Sequence, residues 1–207
     1  MFVQARQLAK SYGPQLVFKK VGFEADKGEI LLLLGSNGSG KSTLLKLIAG
    51  VLKPSAGDIN ITPPGASIGY MAHNTFLYPQ LTALENIGFW CKLYGKKVNR
   101  KFLASKLNKF DLGPFLHERI SCFSRGMAQK LNFLRLLCID PDILLLDEPA
   151  TGLDKEARQL FGEELMNLKN RNTLIFWVTH FPEFNSSWAD RVLEIKNKTS
   201  YLSIPDQ

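Results

Sequence analysis

Residues 35–42, Gly35-Ser36-Asn37-Gly38-Ser39-Gly40-Lys41-Ser42, satisfy G-x-x-x-x-G-K-[ST] without a mismatch. At average residue usage a chain of 207 residues carries that pattern by chance on the order of 1% of the time, and its flanks narrow the reading further. Glu29-Ile30-Leu31-Leu32-Leu33-Leu34 before it has the unbroken apolar run of a fully buried strand, and after it Leu44, Leu45 and Ile48 recur at helical spacing as far as Ala49. Strand, glycine loop and helix, in that order, are what the motif requires. The pattern predicts an α/β fold.

Chemistry explains the residue types. Three glycines let main-chain N–H groups turn inward, and the helix N-terminus adds partial positive charge, so backbone donors hold a polyphosphate. Lys41 is expected to reach the β- and γ-phosphates. The Ser42 hydroxyl is expected to ligate Mg²⁺, a hard cation that takes oxygen donors and keeps several waters. A glycine-rich turn with a surface lysine would leave both flanks unexplained, so the chain is expected to bind a nucleoside triphosphate.

Composition excludes other classes. An apolar share of 45% supports a sizeable core in one domain or two closely packed lobes. No stretch approaches the roughly 18 continuous apolar residues that span a bilayer. Met1-Phe2-Val3-Gln4-Ala5-Arg6 lacks the long apolar segment of a signal peptide, so a cytoplasmic location is expected. Cys91, Cys122 and Cys138 are scattered without a C-x-x-C pair, against a disulfide framework, a haem attachment site or a cysteine metal site; buried free thiols are expected. The net charge of +7 is concentrated, since residues 85–130 hold ten Lys/Arg against three Asp/Glu. Such a block suits a solvated helical face, an anionic membrane surface, an acidic partner or nucleic acid. No aromatic-interleaved basic motif argues for the last.

Residues 2–8 and 15–25 contain strand-like stretches, at 2–5 and 21–25, separated by the turn Tyr12-Gly13-Pro14. Tyr12 can stack on a base or pack on a small sheet. Strands are predicted at 58–62 and 67–71, followed by a loop, 72–79, with His73 and exposed aromatic candidates. Thr82-Ala83-Leu84-Glu85 is a capping box, and residues 80–138 read as helical throughout. Ser124 is a plausible N-cap for a helix to about Ile139. Residues 143–148 form a second apolar run ending in Asp147 and Glu148, two acids that are costly at a strand end without a cation. Opposite Ser42, Asp147 can hold Mg²⁺ and Glu148 can accept a proton from an attacking water. A helix over 155–169 and a third buried strand over 174–179 follow, with His180 at the strand's carboxyl end, where ligands sit in open α/β sheets. Residues 189–204 look like two short edge strands.

With these residues assembled, the chain resembles the nucleotide-binding domain of ATP-binding cassette (ABC) transporters over essentially its whole length. The matching features, in order, are Tyr12, residues 35–42, the signature Phe123-Ser124-Arg125-Gly126-Met127, Asp147-Glu148, Thr151-Gly152-Leu153-Asp154 and His180. The resemblance implies a phosphate-loop triphosphatase with a RecA-like α/β core and an antiparallel β subdomain (1–79 and 139–207) and a helical subdomain (80–138). It implies that ATP and Mg²⁺ are bound by Tyr12, the loop with Thr43, Ser42 and Asp147, and that catalysis uses Lys41, Glu148, His73 and His180. It also implies a homodimer in which Ser124 and the Gly126 N–H close on the opposite γ-phosphate and Asp154 crosses the contact. A separate integral membrane subunit, a peripheral place on the inner face of the cell membrane and no nucleic acid complete the picture.

Two departures matter. The usual signature is Leu-Ser-Gly-Gly-Gln, and the usual loop residue at position 73 is Gln. Ser124-Arg125-Gly126-Met127-Ala128-Gln129 and Tyr70-Met71-Ala72-His73, with Phe89-Trp90, look like the ATP-binding subunit family of haem exporters in cytochrome c maturation. That implies haem handled by partners and not by this chain, with the membrane subunit seated near Phe76, Phe89 and Trp90. An imidazole is a poorer Mg²⁺ ligand than an amide oxygen, so His73 is expected to act through water or to sense the γ-phosphate. Arg125 adds a cation where Gly is usual, either to approach the opposite nucleotide's phosphates or to project to solvent, the latter being preferred. The competing expectations are a cassette for another cargo, a soluble cassette ATPase and a small-molecule kinase. The last has no use for Ser124, Asp154 or His180.

Overall fold

The computed structural model describes residues 1–179 and 188–204. At the amino end β1 (Val3–Tyr12) pairs antiparallel with β2 (Gln15–Ala25), in register from Val3 opposite Ala25 to Tyr12 opposite Gln15. Both strands run well beyond the stretches that alternation marks. The reason is an irregularity after Ala5, where Gln7 adopts φ 49° and the register shifts, so the period-two signal is broken although the ladder continues. The other side of β1 takes β4 (Ala56–Ile61). A Cβ on Gly57 would meet the Gln7 carbonyl oxygen at 2.4 Å, which makes glycine obligatory opposite the bulge.

The second sheet contains β3 (Ile30–Leu34), β5 (Ile68–Met71), β6 (Ile143–Asp147), β7 (Leu174–Val178), β8 (Arg191–Lys196) and β9 (Thr199–Ser203), in the order β5-β6-β7-β3-β8-β9. All pairs are parallel except β8 with β9. The unbroken apolar runs follow from burial on both faces. Leu31, Leu33, Leu145 and Phe176 join the core beneath the three-stranded sheet, while Ile30, Leu144, Leu146 and Trp177 join the core on the opposite face. The expectation of two edge strands after residue 188 is corrected: β8 lies inside the sheet beside β3, and only β9 is outermost.

Helix α1 (Lys41–Ile48) sends Leu44, Leu45 and Ile48 into the first core. The stretch read as helical throughout is three helices, α2 (Ala83–Leu93), α3 (Arg100–Lys109) and α4 (Arg125–Ile139), with two short 3₁₀ turns between α3 and α4. The capping box forms, with the Thr82 Oγ1 accepting from the Glu85 N–H and the Glu85 carboxylate accepting from the Thr82 N–H at 2.8 Å. Helix α5 (Lys155–Asn170) packs Phe161 on Phe133 of α4, with ring centroids 3.9 Å apart. Of the three cysteines, all free, Cys91 is buried, Cys138 is half-buried and Cys122 is exposed, its surface turn correcting the expectation of burial there. Among the described residues no helix is long and apolar enough to cross a membrane.

Candidate functional site

The glycine loop leaves β3 at Gly35, with φ 143°, and enters α1 at Gly40, with φ 106°. A Cβ on Gly35 would meet the Ile195 carbonyl oxygen at 2.5 Å, and one on Gly40 would meet Val17 and Phe18 at 2.7 Å. Conformation and space therefore both demand glycine at these two positions. The loop closes on itself through the Ser39 N–H to the Ser36 carbonyl at 3.1 Å. Lys41, the first residue of α1, is 7% exposed and donates from Nζ to the Gly35 and Ser36 carbonyls at 2.7 and 3.1 Å. Burial pulls its pKa down, against the opposing fields of Glu148 and Asp147.

At the next position of the helix, the Ser42 hydroxyl is hydrogen-bonded to the Asp147 carboxylate, which ends β6 and is 5% exposed. Burial pushes the Asp147 pKa up and Glu148 adds to the rise, while the Ser42 bond and the charges of His73 and Lys46 oppose it. An oxygen pair of this kind, with a carboxylate that burial leaves short of positive charge, fits a hard divalent cation. Among the described residues no cluster of three or more His, Cys, Asp or Glu side chains could hold an ion alone. Such a cation would therefore draw its remaining ligands from water and phosphate oxygens. Glu148 follows at φ 53°, its N–H donating to the Val178 carbonyl at 3.0 Å.

A cavity of about 410 Å³ is lined by Tyr12, Gln15, Val17, Asn37, Gly38, Gly40, Lys41, Ser42, Thr43 and Glu148. Eight of these ten carry predicted roles. Gln15 and Val17 do not; the two-residue turn at Gly13-Pro14 sets Gln15 opposite Tyr12, a pairing readable only once both strands are extended to the turn. Tyr12 is 49% exposed, and the Lys10 ammonium lies 5.1 Å from its ring centroid. Ser36 and Ser39 also line a second cavity, of about 690 Å³, beside the β8–β9 turn. His73 is exposed, close enough for its charge to reach Asp147.

Ser124, Gly126 and Asp154 do not join this cavity. Ser124 is the exposed N-cap of α4, its Oγ accepting from the Met127 N–H at 3.2 Å. Asp154 is the N-cap of α5, accepting from the Ala157 N–H at 2.7 Å. The two caps are neighbours, because Gln129 donates to the Pro149 carbonyl at 2.9 Å and a Cβ on Gly126 would approach the Gly152 oxygen at 3.2 Å. Arg125 is exposed, with its aliphatic stem passing beside Gly152. His180 lies outside the described residues.

The family model described as "ABC transporter" matches residues 18–151. The chain is 34% identical over 191 residues, 86% of its own length and 77% of the relative's, to the ABC transporter ATP-binding protein NatA of Bacillus subtilis (strain 168). It is 31% identical over 188 residues, 88% of its own length and 86% of the relative's, to the cytochrome c biogenesis ATP-binding export protein CcmA of Brucella abortus (strain 2308). Some other curated relatives are longer, the chain spanning 65% of them. Among solved structures, one titled as the ATP binding subunit of an ABC transporter superposes with a TM-score of 0.91 at 27% identity, covering 99% of this chain and 90% of the other.

Proposed function

Because the chain belongs to the ABC transporter family, whose ATP-binding subunits work with a membrane permease, we propose that it is the Mg²⁺-dependent ATPase of a complex that delivers or exports haem in c-type cytochrome biogenesis. The observation that carries the ATPase half is the convergence of Tyr12, Lys41, Ser42 and Glu148 on one cavity, with Asp147 bonded to Ser42 at its edge. In this reading Tyr12 stacks on the base. The N–H groups of Ser36, Asn37, Gly38, Ser39, Gly40 and Thr43, together with Lys41, hold the phosphates, and Ser42 and Asp147 hold the ion. A bound Mg²⁺ supplies charge neutralisation between phosphate oxygens. Glu148 orients a water and takes its proton, His73 and His180 sense the γ-phosphate end, and Ser124, Gly126 and Asp154 complete the site of a second copy.

The haem half is supported by His73, by the Ser124-Arg125-Gly126-Met127 signature and by similarity to CcmA over 86% of that protein's length. Phe76, Tyr78 and Phe89, each at least 40% exposed, are ring neighbours of one another or of the half-buried Trp90. They offer the membrane subunit an apolar seat on the inner face of the membrane. Similarity to NatA, at 34% identity, favours a second reading with the same chemistry and another cargo. Copurifying the membrane partner and recording its absorbance decides between them. A haem Soret band is expected, and a stable complex free of pigment would transfer the conclusion to the second reading.

A further inference from the structure

The charge concentrated in the helical stretch has a defined location. Residues 86–110 hold seven Lys/Arg and no Asp/Glu. Lys106 and Lys109 are engaged by Glu163 and Glu164 of α5. The other five, Lys92, Lys96, Lys97, Arg100 and Lys101, are exposed and form no ion pair among the described residues. Lys96 lies in the field of one acid, Asp142, which Lys27 and Ser67 already serve. All five surround the end of α2, the turn at Gly95 and the start of α3. In their midst stands Leu93, 63% exposed, one helical turn beyond Phe89 on the same face.

Two features mark this arrangement as selected for contact and not merely for solubility. Arg100 and Lys101 open α3, whose first turn has no acid. The helix dipole disfavours cations at an N-terminus, so both stand against the local electrostatic preference. Four of the five cations are lysines, strongly hydrated point charges that are depleted from built protein interfaces, where arginine's planar fork is preferred. Hydrated lysines around a protruding leucine match the diffuse negative field of a lipid surface.

We propose that the α2–α3 turn is a bilayer contact, in which Lys92, Lys96, Lys97, Arg100 and Lys101 meet anionic lipid headgroups and Leu93 enters the interface. It rests on the proposed peripheral membrane place of the chain only in saying which face turns to the lipid. The full chain is mixed with vesicles of phosphatidylglycerol and phosphatidylcholine, and with phosphatidylcholine alone, and bound protein is measured by flotation at low and high salt. Binding is expected to the anionic vesicles only and to fall with salt. The variant Lys97→Glu/Arg100→Glu/Lys101→Glu is expected to lose about a hundredfold in vesicle affinity, and Leu93→Ser several-fold.

Two of the three reversals, at Arg100 and Lys101, place acids in the first turn of α3, so the melting temperature of the triple variant is expected to be no lower than that of the wild type. Lost binding then reports the surface and not the fold. A wild type that ignores anionic vesicles overturns the assignment. So does one that binds a polyglutamate peptide or an oligonucleotide as tightly as vesicles, with Leu93→Ser unchanged, because the turn then seeks a soluble polyanion. Nucleotide affinity, read by fluorescent ATP analogue titration, is expected to be unchanged in both variants. Its absence from the wild type would strike the ATPase reading and leave the vesicle result standing.

Discussion

Lys41 shows what a single residue contributes before any ligand arrives. Its ammonium is held by two carbonyls of its own loop, so the buried cation is solvated by dipoles that a phosphate can replace with formal charge. Lys41→Ala is expected to lower ATP affinity by about ten- to a hundredfold, the range for losing a hydrogen bond to a charged group. Unchanged affinity in a calorimetric titration would show that the loop does not cradle phosphate. Glu148→Gln leaves the proposed phosphate and ion contacts in place and removes the proposed base. It is expected to bind ATP like the wild type while steady-state turnover falls by about a hundredfold or more, and near-normal turnover would refute the assignment. These residues were legible in the sequence because the loop and Asp147-Glu148 are contiguous, each announced by the apolar strand before it. Gln15 and Val17 were not, because their place at the cavity depends on hairpin register past a bulge, which no local pattern encodes.

At the scale of elements, side chains that bridge them fix the geometry around the site. Asn86, fully buried in α2, accepts from the Tyr78 N–H at 2.7 Å and donates to the Tyr78 and Thr82 carbonyls at 3.1 and 3.0 Å. Asn86→Ala strands those groups and is expected to cost about 2–3 kcal/mol in chemical denaturation; a loss below 0.5 kcal/mol would mean that the loop re-solvates freely. Glu164 ties α5 to α3, accepting from Lys106 at 2.5 Å and Lys109 at 3.0 Å. Burial raises its pKa, but the two ammonium groups outweigh that and hold it below the ordinary glutamate value. A depressed folded pKa gives stability that is full above the unfolded value and is lost as pH falls through the folded one. Thermal melts of the wild type are therefore expected to fall more steeply through the acidic glutamate range than those of Glu164→Gln; parallel curves would show that the latch contributes nothing. The caps at Thr82 and Ser124 were visible in sequence because capping is local chemistry. The interior position of β8 was not, since strand order is set by which edge the chain returns to, and its short mixed pattern, Arg191 to Lys196, reads like an edge.

For the whole molecule the decisive fact is the separation within one chain of the cavity lined by Lys41 and Glu148 from the exposed caps at Ser124 and Asp154. A monomer that surrounded its own nucleotide would have no reason to present a helix N-terminus, with its anion-attracting N–H groups, away from the phosphate loop. If each pocket is completed by the other copy, defects on opposite sides must complement. A Lys41→Ala chain lacks its own cradle but offers a sound Ser124 face, and a Ser124→Arg chain has the reverse defect. Alone, each is expected to be inactive. Mixed in equal amounts, half of the dimers are heterodimers in which one pocket joins both lesions and the other joins none, so turnover is expected to recover to about a quarter of wild type in a symmetric dimer. Measured on the chain alone or in membranes holding its partner, a mixture no more active than its parents would mean that both lesions fall within one chain's pocket. The signature would then act on its own nucleotide, and the reciprocal arrangement proposed for Ser124, Gly126 and Asp154 would be wrong.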